Sequence, residues 1–456
     1  MFRLELGKPS RRYCDGASRR SFLQLGVAGM AAAGLPNVIR AKAASSASKN
    51  TSVILIWLDG GPGHMDMYDM KPDAPAEYRG LWRPIRTVVP GFDITEMYPK
   101  QAKHTDKFSI VRSLHHDTGD HFAGGHRMLT TKDMGVSGAN NGQKFPGIGA
   151  IVNREIGPRA AGMPGHVGAP HSASIGLVPG YFGGHMLGAQ HDPFITGDPS
   201  ATNYRVQNLN LAGGLSIEKM DDRRSLFKRL DRTQRSLEKN ATVEAMDKFN
   251  REAFEFVLGP RARDAFDMSR ESTRMRDRYG RDNVGQSALL ARRLVEAGST
   301  FVTVHLGGWD HHWDLKKGYE NYLPKVDAAV ASLFEDLDER GLLETTLVVL
   351  CGEFSRTPKM NDGGNGGPAG SMGTPGRDHW GNSMFCLMGG GGVKGGQLIG
   401  STDRLGERPH TRPLTPCNIH ATIYTVLGID PKLQLLEPSG RPVNVLDDPE
   451  PIRELL

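Results

Sequence analysis

The sequence predicts an α/β protein: a mostly parallel sheet sandwiched between helices, with a helical insertion in the middle of the chain. Three observations carry that reading. The runs Val53 to Leu58, Thr300 to Leu306 and Thr346 to Cys351 are short and almost wholly apolar or β-branched, as strands buried on both faces are. Helical patterns alternate with the later two, which indicates parallel strands joined by covering helices. Each run also ends in metal-ligand or acid–base residues: Asp59 in DGGPGHMD, Asp310, His311, His312 and Asp314 in GGWDHHWD, and Glu353 and Arg356 in GEFSRTP. Ligands of open parallel sheets bind in the crevice outside the carboxyl ends of the strands. Three loaded ends therefore predict one shared site.

The elements follow in order. Residues 1–43 read as an export signal. Ser18-Arg19-Arg20-Ser21-Phe22-Leu23 matches the twin-arginine pattern, a weakly apolar stretch runs from Phe22 to Ile39, and Ala41-Lys42-Ala43 supplies small residues for cleavage. That stretch is too rich in Gly and Ala for a stable membrane anchor. It carries eight Lys/Arg against two Asp/Glu, so the formal charge of +5 for the whole chain becomes about −1 without it. The basic balance thus belongs to the signal and gives no support to nucleic-acid binding. The chain is expected to be exported to the periplasm or beyond by the twin-arginine machinery, which carries folded proteins. Cys14 lies in the signal, and Cys351, Cys386 and Cys417 remain. An odd, sparse set is no disulfide framework.

Residues 44–51 form a Ser/Ala/Lys linker, and 52–440 read as the α/β domain. Its first part, to about residue 200, is rich in Gly, Pro and His and builds long loops. The stretch 215–297 is heavily charged with apolar residues at helical spacing, such as Leu226, Leu230 and Leu237. It is expected as helices that cover the sheet or cap the site. SALLARRLVEAG then precedes the second strand, and a helix over 321–340 precedes the third. A fourth strand is expected near Met384 to Met388, a last helix from Pro416 to a stop at Gly428, and a tail over 441–456.

The combination GGPGHMDMYDMKP, APAEYRG, GGWDHHWD, GEFSRTPK, RDHW and HATIYTVLGID resembles a family of exported, sulfatase-like proteins within the alkaline phosphatase superfamily. The resemblance runs over about residues 52–440 and implies an alkaline-phosphatase-like fold with metal ligands at the strand ends. Asp59, Asp310, His312, Glu353 and His379 take the positions of metal-binding residues in it. Where an Asp-His pair is usual, this chain has Glu353-Phe354. HFAGGHRMLTT resembles the helix that starts with the sulfatase nucleophile, and His121 stands at the nucleophile's place. No cysteine has the context for conversion to formylglycine, which leaves Thr118 as a nearby hydroxyl.

From the residues themselves, mixed N/O ligands suit Zn, Mn or Fe better than Ca. His115, His116, His121 and His126 crowd twelve residues, with His121 and His126 the candidates for acid–base work. Arg356 is a candidate to hold an anion bidentately, and equally a structural ion pair. His64 is a possible site residue, Asp66 and Asp69 are expected to order a loop, and Trp309 and Trp313 to pack or to stack on a sugar. The function expected is metal-dependent hydrolysis of an anionic phosphate or sulfate ester, possible on a polysaccharide. The alternative is a non-catalytic binding or assembly protein that keeps the fold and one metal.

Overall fold

In the computed structural model, residues 50–133, 145–174, 176–206, 259–363 and 374–456 are described. The export signal, most of the linker, Leu226, Leu230, Leu237 and most of the glycine-rich 363–376 run lie outside them.

Eight strands form the central sheet: β1 (Ser52–Asp59), β2 (Phe108–Leu114), β3 (His166–Ala169), β4 (Phe194–Ile195), β5 (Phe301–Gly307), β6 (Thr346–Cys351), β7 (Met384–Gly390) and β8 (Leu398–Ile399). Their spatial order is β8-β2-β7-β6-β1-β5-β3-β4. Every neighbouring pair is parallel except the two made by β7. This is a mixed, mostly parallel sheet flanked by helices. β1 lies at its centre, with Asp59 opposite Gly307 and Trp57 opposite Cys351, so the three loaded strand ends lie side by side.

Alternation along the strands builds two cores. Ile54, Ile56, Leu58, Val302, Val304, Val348 and Leu350 point to one face, where they pack with Leu290, Leu294, Val326, Val330 and Leu333. Those partners come from α5 (Asn283–Ala297) and α6 (Leu315–Glu339); α3 (Pro260–Phe266) and α4 (Thr273–Tyr279) lie before them in the chain. Val53, Leu55, Trp57, Phe301, Leu347 and Val349 point to the other face. They meet α1 (His121–Thr130), α2 (Ile148–Glu155) and α7 (Pro416–Leu427) through Met128, Leu129, Ile151, Ile419 and Ile423.

Local signals fix the ends. Asp282 caps α5 by accepting the Gly285 N–H at 3.0 Å, and Gly298, at φ +113°, closes it in a conformation that costs a side chain dearly. The final helix ends at Gly428 in the left-handed region, as expected. The long helix before β6 begins at Leu315, earlier than the spacing suggests, with Pro324 inside it. Of the charged 215–297 stretch, the last helix α5 lies against the sheet. Cys351 and Cys386 are buried free thiols, and Cys417 is a half-buried one. Among the described residues no helix is long and apolar enough to cross a membrane.

Candidate functional site

The chain leaves β1 through Gly60 and Gly61, at φ +117° and +80°. Both conformations favour glycine, and space demands it as well. A Cβ on Gly60 would stand 2.8 Å from the Trp309 and Asp310 backbone nitrogens, and one on Gly61 would stand 2.5 Å from the Phe354 ring. These two glycines let the loops after β1, β5 and β6 close on one another. Asp120 caps α1 by accepting the Ala123 N–H at 2.9 Å, and His121, the first residue of that helix, enters the same space.

The centre of the site is Asp310. His312 Nε2 lies 3.0 Å and His379 Nε2 3.1 Å from its Oδ1, and His121 Nε2 lies 3.3 Å from Oδ2. The two imidazole nitrogens of His312 and His379 are only 2.9 Å apart. Each of the three rings is held from behind through Nδ1: His121 by Glu353 Oε1 (2.8 Å), His312 by Asp378 Oδ1 (2.7 Å) and His379 by the Gly119 carbonyl (2.7 Å). These partners are acceptors, so each ring carries a proton on Nδ1; a doubly protonated ring such as His121 also donates from Nε2 to Asp310, and only a neutral ring would offer its Nε2 lone pair to an ion.

Electrostatics agree with a centre that seeks positive charge. Burial works against protonation of His121, but its hydrogen bonds to Asp310 and Glu353 prevail and lift its pKa to about 9. Burial would raise the Asp310 pKa; hydrogen bonds from His121 and His379 and the Arg356 guanidinium pull it far below the usual carboxylate range. Glu353 is fully buried, and desolvation raises its pKa, helped by the nearby Asp59 charge and opposed by His121. Its Oε1 also accepts the Gly60 N–H at 2.8 Å, while Oε2 is buried with no hydrogen-bond partner among the described residues.

These donors fit a divalent metal ion. Two ligands of a tetrahedral zinc at about 2.0–2.1 Å stand about 3.3 Å apart, close to the 2.9–3.3 Å contacts around Asp310. His121, Asp310 and His379 offer ligand atoms within 4.8 Å of one another; His312 lies outside that group of three but its Nε2 is close to Asp310 and His379. A metal-bound histidine usually gives its other ring N–H to a carboxylate or carbonyl, as all three do.

The structure thus brings Asp310, His312 and His379 together with His121, a residue whose sequence position suggested a nucleophile. Glu353 stands behind His121. Asp59 lies near Glu353, with Trp57 Nε1 donating to its Oδ1 at 3.1 Å and His305 Nε2 3.3 Å from Oδ2. His126 is buried on another side of α1, with Nδ1 on the Lys132 carbonyl at 2.8 Å and its ring edge-on to Tyr181. Thr118 Oγ1 accepts the Asp120 N–H at 3.1 Å in the turn before α1. Arg356 is wholly buried, with its guanidinium on the Gly60, Gly61 and Arg377 carbonyls and on Asp310, and presents no exposed donor to an anion. His64 is tied to Ser355 and the Gly406 carbonyl. Asp66 accepts the Leu81 N–H and pairs with buried Arg377, and Asp69 pairs with Lys71. Trp309 packs on Tyr319 and Tyr322. Sequence reasoning missed Asp378, although it directly precedes His379 in the RDHW run.

Residues 50–456 match the model of the family described as "Protein of unknown function (DUF1501)". No curated protein matches the chain. Among solved structures, similarity extends to a protein in the alkaline phosphatase superfamily from Vibrio parahaemolyticus, at 9% identity over 84% of this chain and 67% of that one, TM-score 0.38. A sulfatase from Pseudoalteromonas sp. is 13% identical over 87% of this chain and 71% of its own, TM-score 0.36. A phosphonate monoester hydrolase from Silicibacter pomeroyi is 10% identical over 83% and 73%, TM-score 0.36.

Proposed function

We propose, from the premise that the chain belongs to the DUF1501 family, that it is an exported metal-dependent hydrolase of phosphate or sulfate esters. One observation carries the reading: three imidazoles, each anchored through Nδ1, turn Nε2 onto a single carboxylate at the sheet edge. His121, Asp310, His312 and His379 would hold the ion, and Glu353, Asp378 and the Gly119 carbonyl would orient them. Three nitrogens and a carboxylate favour Zn, Mn or Fe over Ca. A divalent ion in such a site polarises an ester oxygen and acidifies a bound water. The amino end of α1 starts at His121, and its dipole favours an anionic substrate. Half-buried Trp313, its ring 5.9 Å from that of His312, supports an ester carried on a sugar. Export rests on the paired Arg19 and Arg20 ahead of a weakly apolar stretch.

The test combines elemental analysis of the protein from its own host with a panel of aryl phosphates and aryl sulfates. Asp310→Asn should lose metal and turnover while keeping its fold. Metal-replete wild type that turns over no ester would move the reading to a binding or assembly protein. Unchanged turnover in Asp310→Asn would keep the hydrolase and discard this site.

A further inference from the structure

We infer that Arg356 is a positioning residue that sets the geometry of the metal centre, an assignment that rests on the metal reading above. Its guanidinium is 0% exposed and reaches all three loops that build the site. Nε donates to the Gly61 carbonyl at 2.9 Å and Nη2 to that of Gly60, both in the loop after β1. Nη1 donates to the Arg377 carbonyl at 3.2 Å, two residues before His379. Nη2 also donates to Asp310, the carboxylate on which the histidines converge. The guanidinium lies 5.7 Å from the centre of the Phe354 ring, which in turn lies tilted against His379 and His121 with ring centres 4.6 and 4.7 Å away. The left-handed backbone at Gly60 and Gly61 accompanies carbonyls turned inward to this one side chain.

The chemistry requires arginine. A planar fork with five donors spans several acceptors in fixed directions, whereas a lysine ammonium is one flexible point charge. Without the fork, the Gly60, Gly61 and Arg377 carbonyls lose a buried partner, and such loops shift to recover one. A site that must be held within about 0.5 Å does not survive such a shift unchanged. Loss of an outer partner of this kind typically weakens metal binding by about 10–100-fold. The guanidinium's charge acts in the opposite sense, since it repels a cation. Arg356→Lys separates the two effects because it keeps the charge and removes the fork.

The experiment strips the full chain with chelator and titrates it with Zn²⁺ against a chromophoric competitor. Arg292 serves as the control. It is equally buried but pairs with Glu271, Glu296 and Asp336 around α5 and α6. Arg356→Lys and Arg356→Gln should each lose about 10–100-fold in Zn²⁺ affinity. Arg292→Lys should lower the melting temperature and bind Zn²⁺ as wild type does. Wild-type affinity in Arg356→Lys, or tighter binding in Arg356→Gln, would overturn the positioning role and leave the metal reading intact. An equal loss in Arg292→Lys would overturn it too, as general destabilisation. Wild type that takes up no Zn²⁺ would overturn the metal reading and this inference with it. If Arg356→Gln fails to fold, Arg356→Lys decides alone.

Discussion

Stripped of metal, the protein should grow less stable as pH rises from about 6.5 to 9, and His121 should be the cause. Its folded pKa is about 9, against about 6.5 for an unperturbed histidine. The folded state therefore binds the proton more tightly than the unfolded one. The stabilisation is fully present below pH 6.5 and is lost as pH climbs through 9. The full shift corresponds to about 3.4 kcal/mol. The ring is partly reached by solvent, so about 2 kcal/mol is the effect to expect. For a chain of this size that is a fall of roughly 2 °C in melting temperature. Melts in chelator at half-unit pH steps would read it, with His121→Gln removing the slope and Glu353→Gln reducing it. Saturating Zn²⁺ should reverse the trend, because a metal requires the neutral imidazole and competes with the proton. A flat profile for apo wild type, or the same slope in His121→Gln, would refute the account of His121 as the proton acceptor between two carboxylates.

Other outcomes follow from single features. His420, buried with Nε2 on the Met128 carbonyl and its pKa lowered by burial to about 4, must take up a proton on unfolding. It should remove up to about 3 kcal/mol of stability as pH falls from 6.5 to 4, and His420→Gln should flatten that limb of the melting profile. Gly61→Ala combines a φ of +80° with a Cβ 2.5 Å from Phe354. It should cost at least about 2–3 kcal/mol and lower metal content, whereas a variant that melts and binds metal as wild type does would remove the close-approach argument. Arg19→Lys with Arg20→Lys should abolish export without affecting the fold, checked by fractionation; normal export would show another route.

The fold was legible because its signals are local. Apolar runs such as Val53 to Leu58 fit strands covered on both faces, and Gly298 and Gly428 end their helices where the pattern stops. The site was legible as a place, since three strand ends in register must share an edge. Its partition was not. Sequence grouped Asp59 and Glu353 with the ligands because both follow strands. Which of these carboxylates meets the cluster depends on the turn each loop takes. Glu353 is drawn behind His121 by the Gly60 N–H, and Asp59 is taken by Trp57 and lies beside His305. The resemblance put His121 at the nucleophile's place, and what its two nitrogens meet is not written in the spacing along α1. Asp378 was hidden because its partner, His312, is distant in sequence.

The charges around the cluster show why these parts belong together. Asp310 is matched by the buried guanidinium of Arg356. Asp378 and Glu353 each stand behind a histidine as its hydrogen-bond acceptor. A divalent cation between the Nε2 atoms would add positive charge close to all three carboxylates. A proton on His121 supplies part of that charge, and burial raises the Glu353 pKa. Removing either outer carboxylate should therefore weaken metal binding beyond the loss of ring orientation, because it also removes charge that a dication neutralises at low dielectric. Asp378→Asn tests this: the amide oxygen still accepts from His312 Nδ1, so orientation is kept and charge alone is lost. A fall in Zn²⁺ affinity of about tenfold would assign the effect to charge. Unchanged affinity would leave orientation as the whole contribution of Asp378.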